Sequence, residues 1–115
     1  MTTKEIMQRA AAALDDKMGK DITVLKIADV STLADYFLIC TGTSSTQIRA
    51  LCDAVEEAMD QAGETLISRE GHRGGTWILL DYGSIVVHIF TDETRKFYDL
   101  ERLWSDAVPV DISEI

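Results

Sequence analysis

The residues that could perform chemistry in this sequence begin with a short polar segment, Thr41-Gly42-Thr43-Ser44-Ser45, which follows an apolar run and opens a helical pattern. Backbone N–H groups at the start of a helix can hold a phosphate or another anion. The segment has neither the Walker pattern with its lysine nor the glycine spacing of a dinucleotide site. A plain helix cap is therefore the simpler interpretation, and phosphate binding is the alternative.

A strand, a glycine, a serine and then a helix are also typical of nucleotidyltransferases, which need paired carboxylates on the following strands to hold Mg²⁺. The later strands supply Asp81, but Leu79 stands where its partner carboxylate is required, and His88 stands where the next strand could offer another. One carboxylate makes a poor two-metal site. We therefore expect no metal, no cofactor and no enzymatic activity.

Nucleophilic catalysis has little support in the sequence. Ser44, His72 and His88 could be combined with an aspartate on paper, but no nucleophile-elbow motif is present. A histidine on a strand face beside a tryptophan is more often packed or partner-binding. Cys40 and Cys52 lie in apolar patterns without a Cys or His at short spacing, so we expect buried side chains rather than metal ligands.

The main structural element predicted around these candidate residues is the stretch 76–90. Two runs rich in β-branched and aromatic residues flank Tyr82-Gly83, which predicts a β-hairpin with those two residues as its loop and Trp77 opposite His88. Side chains of a strand alternate between faces, so one face is purely aliphatic and the other mixed. The aliphatic face is Ile78, Leu80, Ile85, Val87 and Ile89, and the mixed face is Trp77, Leu79, Asp81, Val86, His88 and Phe90. The mixed face is either covered by a helix or offered to a partner.

The whole pattern predicts the order helix, strand, strand, helix, strand, strand, helix. Capping boxes at Thr2 and Ser44 start the first two helices, and strands are expected at 22–27 and 36–41. The second strand, the helix after it and the third strand predict a right-handed parallel crossover, with the first and last strand pairs antiparallel. We expect an α/β domain at residues 1–105, with helices on a small mixed sheet, and an acidic tail at 106–115.

The charge of the chain narrows the choice of partner. Twenty acidic residues against eleven basic ones give a net charge of −9, which disfavours direct binding to nucleic-acid phosphates. The charge leaves open a basic protein surface as partner, and on composition alone acidity that serves only solubility is an equal alternative. No apolar run is long enough to span a membrane, and the N-terminus has no secretory or transit pattern, so a cytoplasmic protein is expected.

One set of aromatic and acidic side chains has no catalytic interpretation. Its members are Trp77, Asp81, His88, Tyr98, Glu101 and Trp104. Because Trp and Tyr are over-represented at interface hot spots, we predict a partner-binding surface, with core packing accounting for part of the set. The last helix is expected to pack through one side lined by Phe97, Leu100, Leu103 and Trp104.

Several of these motifs together resemble the ribosomal silencing factor family, also called RsfS or Iojap-like proteins. They are the run from Tyr36 to Ser45 (YFLICTGTSS), Glu70-Gly71, Trp77 with Asp81, Gly83 and Val87-His88, and the run from Tyr98 to Trp104 (YDLERLW). They cover residues 3–105 in the family's order and spacing. The resemblance implies a nucleotidyltransferase-like core without catalytic carboxylates.

The resemblance also implies a function. Members of the family bind ribosomal protein fourteen of the large ribosomal subunit, at the face where the small subunit docks. The expected activity is steric blocking of subunit joining, which represses translation when nutrients are short, together with a role in large-subunit biogenesis. Whether the protein is a monomer or a homodimer stays open. The alternative from another class is a small nucleotide- or phosphate-binding enzyme that uses the turn at residues 42–45.

Overall fold

The computed structural model describes residues 2–110, which form a single mixed β-sheet with helices packed on it. The elements are α1 (Thr3–Asp16), β1 (Lys20–Lys26), β2 (Tyr36–Gly42), α2 (Ser45–Gln61), β3 (Ser68–Glu70), β4 (Trp77–Asp81), β5 (Ile85–Thr91), α3 (Asp92–Tyr98), α4 (Leu100–Leu103) and β6 (Val108–Val110). The predicted α/β class with a small mixed sheet is confirmed.

The strand order across the sheet is β3-β4-β5-β2-β1-β6, and β2 and β5 are its parallel pair. The predicted crossover was wrong in one respect: the parallel neighbour of β2 is the second strand of the hairpin, not the first. β2 and β5 are buried on both faces, whereas β4 alternates between buried and half-buried residues. Strands that are apolar on both faces belong in the centre of a sheet, which explains their pairing. The first and last predicted strand pairs are antiparallel, as expected.

The hairpin has a different loop from the predicted one. Trp77 pairs with Phe90 and Leu79 with His88, and the N–H of Tyr82 donates to the carbonyl of Ile85 at 3.0 Å. The two loop residues are therefore Gly83 and Ser84, and Gly83 has the positive φ of +85° that such a turn favours. The predicted register was wrong by two residues. Because side chains alternate with period two, this shift leaves every residue on its predicted face.

Two short edge strands were not predicted. β3 lies within the expected loop before the hairpin, and β6 lies within the expected tail, where it pairs with Val24–Lys26 of β1. Three-residue strands are too short to show a period, and Pro109 is tolerated because β6 is at the edge of the sheet. Part of the predicted tail is thus sheet. Residues 111–115 lie outside the described residues, and the proposed division at residue 105 stays a prediction.

The last predicted helix is interrupted at Asp99. This residue has a left-handed φ of +47°, ends α3 and caps α4. The interruption changes which side chains face the sheet: Leu100 and Trp104 pack against it, whereas Phe97 and Leu103 are 80% and 72% exposed. The prediction that all four pack on one side was therefore wrong for Phe97 and Leu103.

The sheet separates two apolar clusters. On the first face, α1 and α2 bury aliphatic residues that include Leu38, Ile78 and Leu80. On the second face, a smaller cluster around Phe37 and Phe90 is covered by side chains near the end of the chain and partly by half-buried residues of β4. The second face carries the residues that the sequence singles out as partner-binding candidates.

Candidate functional site

A continuous series of aromatic rings runs from the core of the second face to the surface. The ring of Trp77 stacks on buried Phe90 at 5.0 Å between centroids and lies 4.5 Å from Tyr98. Tyr98 in turn meets Phe97 edge-on at 5.1 Å. Tyr98 is 49% exposed and Phe97 80% exposed, so the series ends in solvent. Aromatic pairs at these spacings are mutually stabilising, which fixes the outer rings on the inner ones.

His88 fixes the orientation of the Trp77 ring by a hydrogen bond. The indole Nε1–H of Trp77 donates to Nδ1 of His88 at 3.2 Å, and the imidazole packs edge-on against Phe37 at 4.9 Å. His88 is only 4% exposed, and this burial lowers its pKa to about 4. The imidazole is therefore neutral at pH 7, and its Nδ1 can accept the hydrogen bond from the indole N–H. The sequence left open whether the mixed face is covered or offered to a partner. In the structure His88 is buried and Trp77 is half-buried.

The segment that presents Tyr98 and Phe97 is fastened to the sheet by Arg95. Its Nε donates to the carboxylate of Glu101 at 2.8 Å, and its Nη atoms donate to the hydroxyls of Thr41 and Thr23 at 2.8 and 3.0 Å. A charge-assisted network of this kind orients α3 and α4 on β1 and β2. Sequence reasoning missed Arg95, because its two threonine partners lie more than fifty residues away in the chain.

The outermost apolar side chains form one surface. Phe97, Tyr98 and Leu103 line the same shallow depression, whose remaining lining residues are Lys96, Asp99 and Arg102. We call Trp77, Phe97, Tyr98 and Leu103 the aromatic surface. An exposed apolar patch with a charged rim is typical of a protein-binding site.

Three of the six predicted site residues come together here, namely Trp77, His88 and Tyr98. Asp81 lies at the other end of β4, roughly 13 Å from Trp77 along the strand, and its Oδ1 accepts a hydrogen bond from the N–H of Gly83 at 2.8 Å. The structure therefore gives Asp81 a place in the hairpin turn.

The other two predicted residues have contacts within the fold. Glu101 forms the ion pair with Arg95 described above. Trp104 is half-buried and meets Phe37 edge-on at 5.4 Å. Both residues hold α4 in place, and their contact with a partner stays a prediction.

The turn at residues 42–45 uses its polar groups internally. The N–H and hydroxyl of Thr43 donate to Oε1 of Gln47 at 2.6 and 2.8 Å, and the N–H of Gln47 donates to Oγ of Ser44 at 3.1 Å. Ser44 is thus the predicted helix cap, although Gln47 reaches Thr43 rather than closing a capping box. These contacts favour the cap over a phosphate site.

One group of side chains within residues 2–110 has the composition of a metal site. Ligand atoms of Cys52, Asp53 and His72 lie within 4.8 Å of one another. The sequence did not predict this cluster, because His72 is twenty residues from Cys52 and only the fold brings the loop against α2.

The fold and this surface define a small α/β domain in which one sheet face ends in exposed aromatic side chains. None of the helices in residues 2–110 is long and apolar enough to cross a membrane. An exposed aromatic patch of this kind is typical of a protein-binding surface.

Comparison with known proteins identifies the family. The family described as "Ribosomal silencing factor during starvation" matches residues 1–115. Ribosomal silencing factor RsfS of Bacillus subtilis is 41% identical over 112 residues, which are 97% of this chain and 95% of that protein. The chain belongs to the ribosomal silencing factor family, as its motifs predicted. The match includes residues 106–115, which carry none of those motifs.

Two further proteins extend the comparison. A crystal structure from Chromobacterium violaceum has a TM-score of 0.89 and 37% identity, covering 91% of this chain and 88% of that one. A mouse protein named "Mitochondrial assembly of ribosomal large subunit protein 1" is 30% identical over 95 residues, which are 80% of this chain and 42% of the mouse protein. The fold of the family and the fold described here are the same.

Proposed function

We propose that this protein binds the large ribosomal subunit through ribosomal protein fourteen and sterically blocks the docking of the small subunit, thereby repressing translation. Membership of a family named for ribosomal silencing supports this proposal. The name of the mouse relative supports an additional role in large-subunit biogenesis. The protein acts in the cytoplasm, without a cofactor and without catalysis.

The aromatic surface is the observation that carries the proposal. Its apolar side chains Phe97, Tyr98 and Leu103 are exposed to water in the free protein. Because they lie side by side, a bound partner would remove all three from water together. Interface cores are enriched in aromatic residues and are surrounded by a polar rim, here supplied by Lys96 and Arg102 among others. This is the arrangement expected where one rigid protein docks on another.

The net charge of −9 supports a basic partner. Opposite charges steer the encounter of two proteins, and dissolved salt screens this attraction. We therefore expect the association rate with large subunits to fall as ionic strength rises, with a smaller change in the dissociation rate. An association rate that is constant across that range would leave the acidity as a solubility feature.

Sedimentation through sucrose gradients tests the proposal. The protein should travel with isolated large subunits, and not with small subunits or joined ribosomes. Large subunits incubated with it should join added small subunits less often. The Phe97→Ala variant should need a higher concentration for both effects, whereas Ile67→Ala, which removes a side chain that is 66% exposed outside the aromatic surface, should act like the original protein. Equal occupancy on joined ribosomes would rule out the blocking mechanism.

The absence of catalysis has its own test. Asp81 is the lone carboxylate that the nucleotidyltransferase pattern offers, and it is engaged by the hairpin turn. We expect no Mg²⁺-dependent turnover of nucleotides above background. Turnover that disappears in the Asp81→Asn variant would overturn this part of the proposal.

A further inference from the structure

A second group of chemically active side chains lies between α2 and the loop that precedes β4. Cys52 and Asp53 are consecutive residues of α2, and His72 lies in the loop between β3 and β4. Their ligand atoms are all within 4.8 Å of one another, and Nε2 of His72 is 3.8 Å from Oδ1 of Asp53. A thiol, a carboxylate and an imidazole thus converge on one point.

The convergence is fixed by the backbone of the loop. The guanidinium of Arg49, one turn before Cys52 on α2, donates from Nε to the carbonyl of His72 at 3.1 Å and from Nη2 to the carbonyl of Arg73 at 3.0 Å. The loop also closes on itself, because the N–H of Gly75 donates to the carbonyl of Gly71. The backbone of His72 is therefore held beside α2 by the side chain of Arg49, which places the imidazole near Cys52 and Asp53.

The imidazole has an unused polar atom at this point. Nε2 of His72 is buried and has no hydrogen-bond partner within residues 2–110. A distance of 3.8 Å to Asp53 is too long for a hydrogen bond. It is close to the roughly 3.3–3.6 Å that separates two ligand atoms on one tetrahedral ion with bonds of about 2.0–2.3 Å. A buried polar atom without a partner is destabilising, and an ion bound at this point would give Nε2 of His72 one.

We propose that Cys52, Asp53 and His72 form a binding site for a divalent cation of the zinc type. Three protein ligands leave a fourth tetrahedral position for water. A thiolate with an imidazole selects Zn²⁺ or Co²⁺ over Mg²⁺ and Ca²⁺, which prefer oxygen ligands alone. On binding, the sulfur–metal bond replaces the S–H bond and the proton leaves to solvent, with no change in oxidation state.

The surroundings of the Cys52 sulfur favour the thiol over the thiolate, so a metal ion must displace its proton. Burial first, and then the carboxylates of Glu56 and Asp53, raise the pKa of this thiol to about 12. The same carboxylates attract a cation to the point where the thiol proton is displaced.

The bound ion would tie the loop to α2 next to the first residue of β4. Gly71 passes so close to the backbone carbonyl of Trp77 that a Cβ at this position would collide with it. Fixing His72 therefore also fixes the path of the chain into β4. Because the ion binds the folded state, it should raise the melting midpoint by roughly 5 °C or more at a hundredfold excess over Kd.

Titration of the metal-free protein with Co²⁺ tests the site. One equivalent should bind and give the charge-transfer absorption of a thiolate–cobalt bond, and Zn²⁺ should displace it. Cys52→Ser should abolish this absorption. Asp53→Asn and His72→Ala should weaken binding by at least the roughly tenfold that the loss of an outer-shell partner already causes.

Two matched variants serve as controls. Cys40→Ser changes the other buried cysteine, and Asp60→Asn removes the same charge from another exposed position of α2. Both should bind Co²⁺ like the original protein. The absence of thiolate absorption at micromolar Co²⁺ would overturn the proposal. So would unchanged affinity in His72→Ala or Asp53→Asn, two substitutions at partly exposed side chains that should leave the domain folded.

Discussion

The two faces of the sheet are made by the same strands but are covered differently. On the first face, helices of 14 and 17 residues seal an aliphatic layer in which Ile78, Leu80 and Val87 are fully buried. On the second face, α4 has only four residues, and Trp77 and Leu79 stay half-buried. The first face therefore supplies stability through burial, whereas the second leaves aromatic area exposed, and it is there that we propose a partner binds.

The chemistry of the side chains follows this division. Aliphatic residues on the first face have no polar atom to satisfy, so they can be sealed completely. Trp77 and Tyr98 on the second face are large and apolar but carry a polar tip, which suits a boundary between core and solvent. The buried His88 accepts a hydrogen bond from the indole N–H of Trp77, so that ring is half-buried without an unpaired donor.

The largest effect is expected from truncation on the first face. Leu80→Ala removes a side chain that is 0% exposed, and we expect the free energy of unfolding to fall by about 2–5 kcal/mol. Denaturant melts measure the fall. Binding to large subunits should be unchanged in the fraction that remains folded. A loss below about 1 kcal/mol would show that the first face is not the main source of stability.

A change of pH should affect the second face next most strongly. The folded pKa of His88 is about 4, below its ordinary value of 6.5, so the unfolded state binds the extra proton. The corresponding stability is fully present above pH 6.5 and is lost as the pH falls from 6.5 to about 4, by about 3 kcal/mol in total. Melts across this range should show the decline.

His88→Phe separates the effect of His88 from the titration of carboxylates, and His72→Ala is the control for the other histidine. His88→Phe should flatten the decline because it removes the titrating group, whereas His72→Ala should leave it in place. The same slope in His88→Phe and in the original protein would show that His88 is not the cause.

Trp77→Ala tests whether one half-buried side chain contributes both to stability and to partner binding. The side chain is half-buried, so we expect a stability loss of about 1–2 kcal/mol, less than the roughly 3–5 kcal/mol of a fully buried tryptophan. Affinity for large subunits should fall by about 2 kcal/mol. Melts and binding measurements are made on the same sample. A stability loss as large as that of Leu80→Ala, with binding intact, would make the second face an ordinary core.

Phe97→Ala should give the smallest but most selective effect. The ring is 80% exposed, so stability should change by less than about 0.5 kcal/mol, while binding weakens by about 1–2 kcal/mol. Ile67→Ala, at 66% exposure outside the aromatic surface, should change neither quantity. Equal binding by the two variants would remove Phe97 from the interface.

Much of the fold could be predicted because its signals are local. Apolar periodicity and the caps at Thr2 and Ser44 located α1 and α2, and alternation assigned the two faces of the hairpin correctly even with the wrong loop. β3 and β6 could not be predicted, since strands of three residues are too short to show a periodic pattern. They form because they pair with a neighbouring strand at the edge of the sheet. The choice of β5 as the partner of β2 likewise depends on burial from both sides.

The candidate site divides in the same way. Residue type indicated Trp77 and Tyr98, because Trp and Tyr are over-represented at interface hot spots, and strand alternation placed His88 on the same face as Trp77. The sequence by itself therefore determined the family, the helices and strands of the central fold, and the identity of the aromatic residues. Only the tertiary structure decided which of them reach solvent, through the left-handed turn at Asp99 and the long-range contacts of Arg95. Exposure is a property of how elements pack, and packing depends on contacts between residues that are distant in the chain.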